Sequence, residues 1–305
     1  MLYRLENDII EISDKLLLPN YYEESINLLG KYKLYTLPAH VNLIPDFRIL
    51  PGKSLFLKKN ILYIPNNYPI QNDSFFKCFM FIVHLLINLK KNHIVLHASA
   101  VEVQDTLVIF LGEKESGKTT MGLLFNNMGY PIVTNDFLEI EVSNEEIKVL
   151  KTDIDNPISF RLHSAYQLGV HNLIDSSHSR NEIFKISINK QKSKKVYKDL
   201  LLCFPHLINT ENELEICTLN KKNKMIKLFQ QLSYYYRNTR ILELENDNLG
   251  KNMLPDKILI SPETHQHIIY IMNILLKYKI VEFYGKPEKA MDYLINRLEK
   301  TNDSR

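Results

Sequence analysis

The segment LVIFLGEKESGKTT, residues 107–120, runs from an apolar strand-like stretch through a loop bounded by two glycines and into a helix-like stretch. Gly112 and Gly117 lie five residues apart, and Lys118 and Thr119 follow directly, so the segment matches the P-loop pattern G-x-x-x-x-G-K-[ST]. Glycine allows backbone angles and a close approach to a ligand that a Cβ atom would block. The segment therefore predicts a polyphosphate-binding loop between a strand and a helix.

Each part of this loop has an expected role. The backbone N–H groups form a concave anion-binding nest, and the N-terminus of the following helix adds partial positive charge. Lys118 is expected to contact the β- and γ-phosphates of ATP, and the Thr119 hydroxyl is expected to ligate Mg²⁺. The candidate nucleotide-binding residues belong to the loop and the first helical turn: Gly112, Glu115, Ser116, Gly117, Lys118, Thr119 and Thr120.

The flanking segments predict a β-hairpin that leads into the loop. Residues 94–103 read as one strand, residues 104–105 as a tight turn and residues 106–111 as a second strand. Strands joined so closely are antiparallel, because a parallel return needs a crossover of about a dozen residues or more. After the loop, the pattern predicts a helix that ends at Gly129, a strand at residues 130–136 and a second hairpin at residues 137–150.

Three side chains near the loop are candidates for chemistry. Phosphoryl transfer needs a carboxylate that holds the metal or accepts a proton. Asp136 ends the strand after the helix, so it is the first candidate for both roles, and Glu139 is the second. His97 interrupts an apolar strand beside the loop and is expected to orient Asp136 or the γ-phosphate. The alternatives are a turn-forming aspartate and a structural histidine.

These segments resemble the catalytic core of the HPr kinase/phosphorylase-like family. The resemblance is carried by LHASAVEV (residues 96–103), LVIFLGEKESGKTT (residues 107–120) and MGYPIVTNDFLEIEV (residues 128–142). It implies a P-loop built on a β-hairpin, with the phosphoenolpyruvate carboxykinase-like fold. Similar proteins include serine kinases of modified-peptide gene clusters, which implies phosphorylation of a hydroxyl on a peptide, a protein or a small molecule.

The sequence also departs from the family pattern. Asn135 stands where the family has the first aspartate of DD-x-[VL]-E-[IV], so Asp136 is the carboxylate that remains at that pair. These kinases often place a basic residue where Arg161 lies, and such a residue neutralises charge on the transferred group. A surface arginine on an edge strand is the alternative. The glycine-rich signature for binding the protein HPr is absent, so phosphorylase activity is not implied.

Composition bounds the class of protein and its partners. The chain has 305 residues, 45% hydrophobic and 24% charged, with a formal net charge of +3. This charge is too small to imply a nucleic-acid or membrane partner. The three isolated cysteines favour a reducing cytoplasm. The most apolar run, residues 75–91, is interrupted by Lys77, His84 and Asn88, so it predicts a buried helix rather than a membrane span. Assembly into a homo-oligomer stays open.

The predicted class is α/β, with a small α+β domain at residues 1–91 and a P-loop domain at residues 92–305. The second domain is expected to have a mixed sheet covered by C-terminal helices, and the first to recognise the acceptor. The leading hypothesis is an ATP- and Mg²⁺-dependent kinase. A nucleotide-binding regulatory or scaffold protein with little catalysis is the alternative, motivated by Asn135 and by the acidic loop residues EKES. A P-loop ATPase motor is disfavoured, because the hairpin differs from the parallel core of such motors.

Overall fold

The structure, a computed structural model, describes residues 1–19, 26–28, 32–38, 40, 43–66, 68–153, 158–161, 183–186, 195–207, 214–237 and 262–302. These residues combine helices with mixed sheets, as expected for the α/β class. Contacts divide the chain into two compact units, Met1–Asn92 with Ser233–Ile269, and His93–Leu232 with Tyr270–Arg305. The assignment of residues 1–91 and 92–305 to separate domains stays a prediction.

The first unit contains a seven-stranded sheet. Its strands are β1 (Leu2–Leu5), β2 (Asp8–Ile12), β3 (Ile26–Leu28), β4 (Tyr32–Thr36), β5 (Phe47–Gly52), β6 (Phe56–Lys58) and β7 (Ile61–Pro65). Their order across the sheet is β3-β4-β1-β2-β5-β7-β6. The pairs β2–β5 and β5–β7 are parallel, and the other neighbours are antiparallel.

Helix α1 (Asp73–Lys90) is the buried helix predicted from the apolar run. Its polar residues have local partners. Lys77 forms an ion pair with Asp73 at 2.8 Å, and Asn88 Nδ2 lies 2.8 Å from His84 Nε2 inside the unit. Both pairs are spaced i, i+4, which places their side chains on one helical face. Among the described residues, no helix is long and apolar enough to cross a membrane.

The remaining helices follow along the chain. They are α2 (Lys118–Asn127), α3 (Lys221–Leu232), α4 (Tyr234–Arg237), α5 (Pro262–Leu275) and α6 (Pro287–Asn302). Helices α2 and α6 pack against each other in the second unit, and α6 also contacts its main sheet. The expectation that C-terminal helices cover the sheet is confirmed for α6, which buries Ala290, Met291, Leu294 and Leu298.

The described residues of the second unit form three sheets. Its strands are β8 (His93–Leu96), β9 (Ser99–Val103), β10 (Thr106–Phe110), β11 (Ile132–Thr134), β12 (Leu138–Val142), β13 (Ile147–Thr152), β14 (Ile158–Arg161), β15 (Ile183–Ile186), β16 (Val196–Tyr197), β17 (Asp199–Leu207), β18 (Glu215–Cys217) and β19 (Lys279–Gly285). The main sheet has the order β11-β9-β10-β17-β19-β18, a second has β16-β13-β12-β8, and β14 pairs with β15.

The strand directions in the main sheet place the carboxyl ends of four strands at one edge. The predicted hairpin is confirmed, because β9 and β10 are antiparallel with Val103 opposite Thr106. β11 is also antiparallel to β9, while β10–β17 and β17–β19 are parallel pairs. Strands β10, β11, β17 and β19 therefore run the same way, and their carboxyl ends meet at the edge where the glycine segment leaves β10. This edge is the usual place for a ligand in sheets of this kind.

The prediction of a single strand at residues 94–103 is wrong. The chain forms β8 and β9, which belong to different sheets and are separated by His97 and Ala98. β8 pairs with β12, whereas β9 pairs with β10 and β11. The break falls at His97, the polar residue that interrupts the apolar segment, but no glycine, proline, asparagine or aspartate marks it as a turn. The second predicted hairpin is confirmed as β12 and β13.

Candidate functional site

The glycine loop, Gly112 to Gly117, joins β10 to α2 and packs against the end of β17. Gly117 has φ +107°, and a Cβ atom there would lie 2.3 Å from Leu207 Cδ1. A Cβ atom on Gly112 would lie 2.7 Å from Ser116 Oγ. The Leu207 N–H donates to Ser116 O at 3.2 Å. Both glycines are therefore required by this close packing as well as by backbone angle.

Lys118, the first residue of α2, reaches back over the loop. Its Nζ donates to Gly112 O at 3.0 Å and to Glu113 O at 2.8 Å, and the residue is 6% exposed. Burial lowers the pKa of Lys118 to about 8, while the carboxylates of Asp136 and Glu113 act in the opposite direction. The ammonium group is thus held against the loop carbonyls in a partly dehydrated state. The loss of hydration free energy is one that a bound anion would offset.

The hydroxyls around Lys118 differ in their surroundings. Ser116 Oγ is buried and makes no hydrogen bond with any residue that the structure describes. It lies against Gly112, because a Cβ atom built there would be 2.7 Å away, and a buried hydroxyl of this kind ordinarily has a hydrogen-bond partner. Thr119 is half-buried, whereas Thr120 is fully buried. Glu115 is exposed and has φ +67°, so its side chain lies outside the loop.

His97 and Asp136 meet at this edge of the sheet. His97 lies between β8 and β9, and its Nε2 is 3.1 Å from Asp136 Oδ1. Burial lowers the pKa of His97, and the charge of Lys118 acts in the same direction, while Asp136, Asp153 and Glu113 oppose the shift. A lowered pKa favours the neutral ring, which can donate its Nε2–H to the carboxylate. The side chain of Asp136 is 58% exposed, so a substrate can reach it.

Asp153, which sequence reasoning missed, holds the segment that carries Asp136. Its Oδ1 accepts the N–H of Asp136 at 3.2 Å and of Phe137 at 3.0 Å, and lies 2.7 Å from the Thr134 hydroxyl. Asp153 follows β13, whose last residue, Thr152, pairs with Leu138. An unshifted hairpin would place residue 152 opposite residue 137, and the bulge in β13 brings residue 153 there instead, so the hairpin pattern alone could not have found Asp153.

The other predicted catalytic residues lie elsewhere on these elements. Glu139 on β12 is 6% exposed, and its Oε1 is 3.9 Å from His93 Nδ1. Arg161 is the last residue of β14 and pairs with Ile183 of β15, but its side chain is outside the described structure. The geometry therefore joins His97, Asp136 and Lys118 around the loop and adds Asp153. Glu139 is placed instead beside His93 at the start of β8.

Comparison with known proteins gives no relative for this chain. No family model matches the sequence, and no curated protein matches it significantly. The resemblance to HPr kinase-like proteins therefore depends on the motif residues alone.

The donor set at the loop fits a magnesium ion that is shared with polyphosphate. The described residues contain no group of three or more His, Cys, Asp or Glu arranged to hold a metal. Mg²⁺ in nucleotide sites characteristically takes one or two protein oxygens and completes its shell with phosphate and water. Thr119, which follows Lys118 in α2, and Asp136, which lies beside His97, both carry oxygens of this kind.

Proposed function

We propose that this chain is an ATP- and Mg²⁺-dependent kinase of the HPr kinase-like type, with a P-loop built on the β9–β10 hairpin. The acceptor is a hydroxyl on a peptide, a protein or a small molecule. The observation that carries the proposal is the His97–Asp136 pair, 3.1 Å apart, at the edge where the glycine loop presents a buried lysine. A loop that only turned the chain would have no need of a carboxylate–imidazole pair and a dehydrated ammonium group beside it.

The loop supplies the phosphate-binding part of this function. The amides of the loop and the N-terminus of α2 attract the β- and γ-phosphates. Lys118 adds a positive charge, and its two carbonyl contacts hold the ammonium group over the loop. Ser116 Oγ, buried among polar backbone, gains a hydrogen-bond partner when a phosphate oxygen enters. The exposed side chain of Glu115 stays outside.

Thr119 and Asp136 would hold Mg²⁺ together with oxygens of the nucleotide. The metal supplies charge neutralisation for the phosphoryl group when it is bound. Thr119 lies in the first turn of α2, directly after Lys118, so its hydroxyl is at the phosphate end of the helix. Asp136 lies at the carboxyl end of β11, which runs parallel to β10 with β9 between them.

The transfer step balances with Asp136 as proton acceptor. The acceptor hydroxyl oxygen forms a bond to the γ-phosphorus, the bond between that phosphorus and the β–γ bridging oxygen breaks, and ADP leaves with the electron pair. Metal binding and proton acceptance are alternative roles for Asp136: in the second, its carboxylate is not bound to the metal, is oriented by the N–H of His97 and takes the hydroxyl proton. Asp153 fixes the backbone of Asp136, so the carboxylate does not need to order itself during the reaction.

Substitution of Lys118 and Asp136 tests the two parts of the proposal separately. Lys118→Ala is expected to abolish binding of MgATP, measured by calorimetry, while the exposed loop residue Lys114→Ala is the matched control. Asp136→Asn is expected to keep nucleotide binding but abolish phosphoryl transfer, with Asp292→Asn on the exposed face of α6 as its control.

The assay for transfer uses γ-labelled ATP with candidate hydroxyl acceptors, and hydrolysis by water where no acceptor is supplied. Full turnover by Asp136→Asn would show that the catalytic assignment is wrong even with an intact nucleotide site. Tight binding of ATP by the wild-type protein, without any transfer or hydrolysis, would instead favour the regulatory or scaffold alternative that Asn135 suggests.

A further inference from the structure

We infer that the base of the bound nucleotide stacks on the imidazole ring of His206, at the end of β17. The inference rests on the proposed function, because it concerns the same nucleotide. It assigns a binding role to a cluster that the phosphate site does not use. The ligand class is a nucleoside triphosphate whose base is recognised by its flat face.

His206 belongs to a stacked aromatic pair at the ligand-binding edge of the main sheet. His206 pairs in register with Tyr284 of the parallel strand β19, and the two rings lie 4.4 Å apart at 7° to each other. This spacing is close to the separation of neighbouring strands, so the stack runs across the sheet. The second face of the His206 ring therefore points away from β19, toward the β10 side, on the face of the sheet opposite to Leu207.

In the part of the chain that the structure describes, no strand lies beside that second face. β17 is in register with β10 only as far as Cys203 opposite Phe110. Continuing this register by three residues would place Glu113 opposite His206. Glu113 belongs to the glycine loop, however, and no longer to β10. The side chain of His206 is 34% exposed, while the next residue, Leu207, donates its N–H to Ser116 of the loop. His206 thus borders the loop without a strand partner on that side among the described residues.

The ring pair is held in place by one buried carboxylate. Glu282 is 4% exposed, and its Oε1 lies 2.8 Å from His206 Nε2, 3.0 Å from Tyr284 OH and 2.6 Å from Lys227 Nζ. Burial by itself would raise the pKa of Glu282. The hydrogen bonds from Lys227, Tyr284 and His206 outweigh burial, so the pKa is lowered overall. The carboxylate therefore stays ionised and fixes both rings, which reduces the entropy that stacking a ligand would cost.

The direction of the nucleotide follows from the chemistry at the loop. The γ-phosphate must lie near His97 and Asp136, which belong to the β9 and β11 side of β10. The nucleoside then extends to the opposite side of the loop, where β17 and β19 end. An aromatic face at that place offers stacking, which is tolerant of base identity because every base has a π-face.

Calorimetry with two magnesium-bound ligands, ATP and inorganic tripolyphosphate, tests the inference. His206→Ala is expected to weaken ATP binding about 5- to 150-fold, the range for loss of one base–aromatic stack, and to leave tripolyphosphate binding within about twofold. His206→Phe keeps the aromatic face without the Glu282 contact and is expected to retain most of the affinity for ATP. GTP is expected to behave like ATP.

The outcomes distinguish this inference from the proposed function. If His206→Ala binds ATP as tightly as the wild-type protein, or loses ATP and tripolyphosphate equally, the stacking role is overturned while the phosphate site stands. If the wild-type protein binds neither ligand, the nucleotide site itself fails and the inference fails with it. Loss of ATP affinity in His206→Phe as large as in His206→Ala would also contradict stacking.

Discussion

The contact between Gly122 of α2 and Ser99 of β9 gives a quantitative test of how the helix after the glycine loop is held. A Cβ atom on Gly122 would lie 2.3 Å from Ser99 Oγ, a distance that no relaxed structure tolerates. Ser99 is fully buried, and its hydroxyl donates to Thr134 O at 3.3 Å. The substitution Gly122→Ala must therefore displace either the serine side chain or the helix.

The expected free energies follow from two terms. Alanine is more favourable than glycine in a helix interior by about 1 kcal/mol. Overpacking of a buried contact costs about 1–3 kcal/mol. Gly122→Ala alone is thus expected to destabilise the protein by about 0–2 kcal/mol. In a Ser99→Ala background, the new methyl group would meet Ser99 Cβ at 3.6 Å and Ile132 Cδ1 at 4.0 Å, so the same change is expected to stabilise by about 1 kcal/mol.

A double-mutant cycle isolates the contact, because helix propensity and the lost Ser99 hydrogen bond cancel in it. The coupling free energy should then be about 1–3 kcal/mol, equal to the overpacking term. The chain has no tryptophan, so urea unfolding is followed by far-UV circular dichroism. Hydrogen exchange of residues 118–127 identifies the transition in which α2 unfolds.

The same cycle has a functional readout. Lys118 and Thr119 begin the helix that Gly122 holds against β9, so Gly122→Ala is expected to weaken nucleotide binding and the added Ser99→Ala change to restore it. A coupling below about 0.5 kcal/mol would refute the reasoning, since independent sites add within that range. It would show that the helix moves away from β9 without cost.

Three further predictions concern the site itself. Affinity for MgATP is expected to be steady below pH 8 and to fall up to about tenfold per pH unit above it. The reason is that burial lowers the pKa of Lys118 to about 8 and only the ammonium form binds phosphate. Calorimetry across pH 7 to 9.5 checks this, and a flat profile would contradict it. Asp153→Ala is expected to reduce phosphoryl transfer about 100-fold with nucleotide binding unchanged, because the backbone N–H groups of Asp136 and Phe137 lose their hydrogen-bond acceptor. Asp153→Asn keeps an acceptor oxygen and should retain most turnover. Equal losses in both variants would count against a positioning role for Asp153. His97→Ala is expected to slow transfer more than it weakens ATP binding, and a change confined to binding would remove His97 from the catalytic pair.

The central features of the site could be predicted because their signals are local. Two glycines, a lysine and a threonine at fixed spacing mark the loop, and the two-residue turn at Gln104 and Asp105 requires an antiparallel hairpin. The expected contact of His97 with Asp136 is present in the structure at 3.1 Å. Its catalytic meaning stays a prediction, because geometry alone does not measure turnover.

The missed features depend on long-range packing. Asp153 reaches the Asp136 segment because β13 contains a register shift next to Glu139 and Ile140, which no residue pattern marks. The break between β8 and β9 falls at His97 in a largely buried segment, where the hydrophobic pattern does not show that the chain passes from one sheet to another. The strand β19 and its Glu282 cluster also escaped prediction, because a short strand between two helices gives a weak pattern.

The most direct test of the account is an experimental structure with Mg²⁺ and a non-hydrolysable ATP analogue. We expect the β- and γ-phosphates to lie inside the Gly112–Gly117 loop and Lys118 Nζ to contact their oxygens. The metal is expected between Thr119 and Asp136. A structure at saturating nucleotide in which Lys118 still bonds to Gly112 O and Glu113 O, with phosphate absent from the loop, would contradict it.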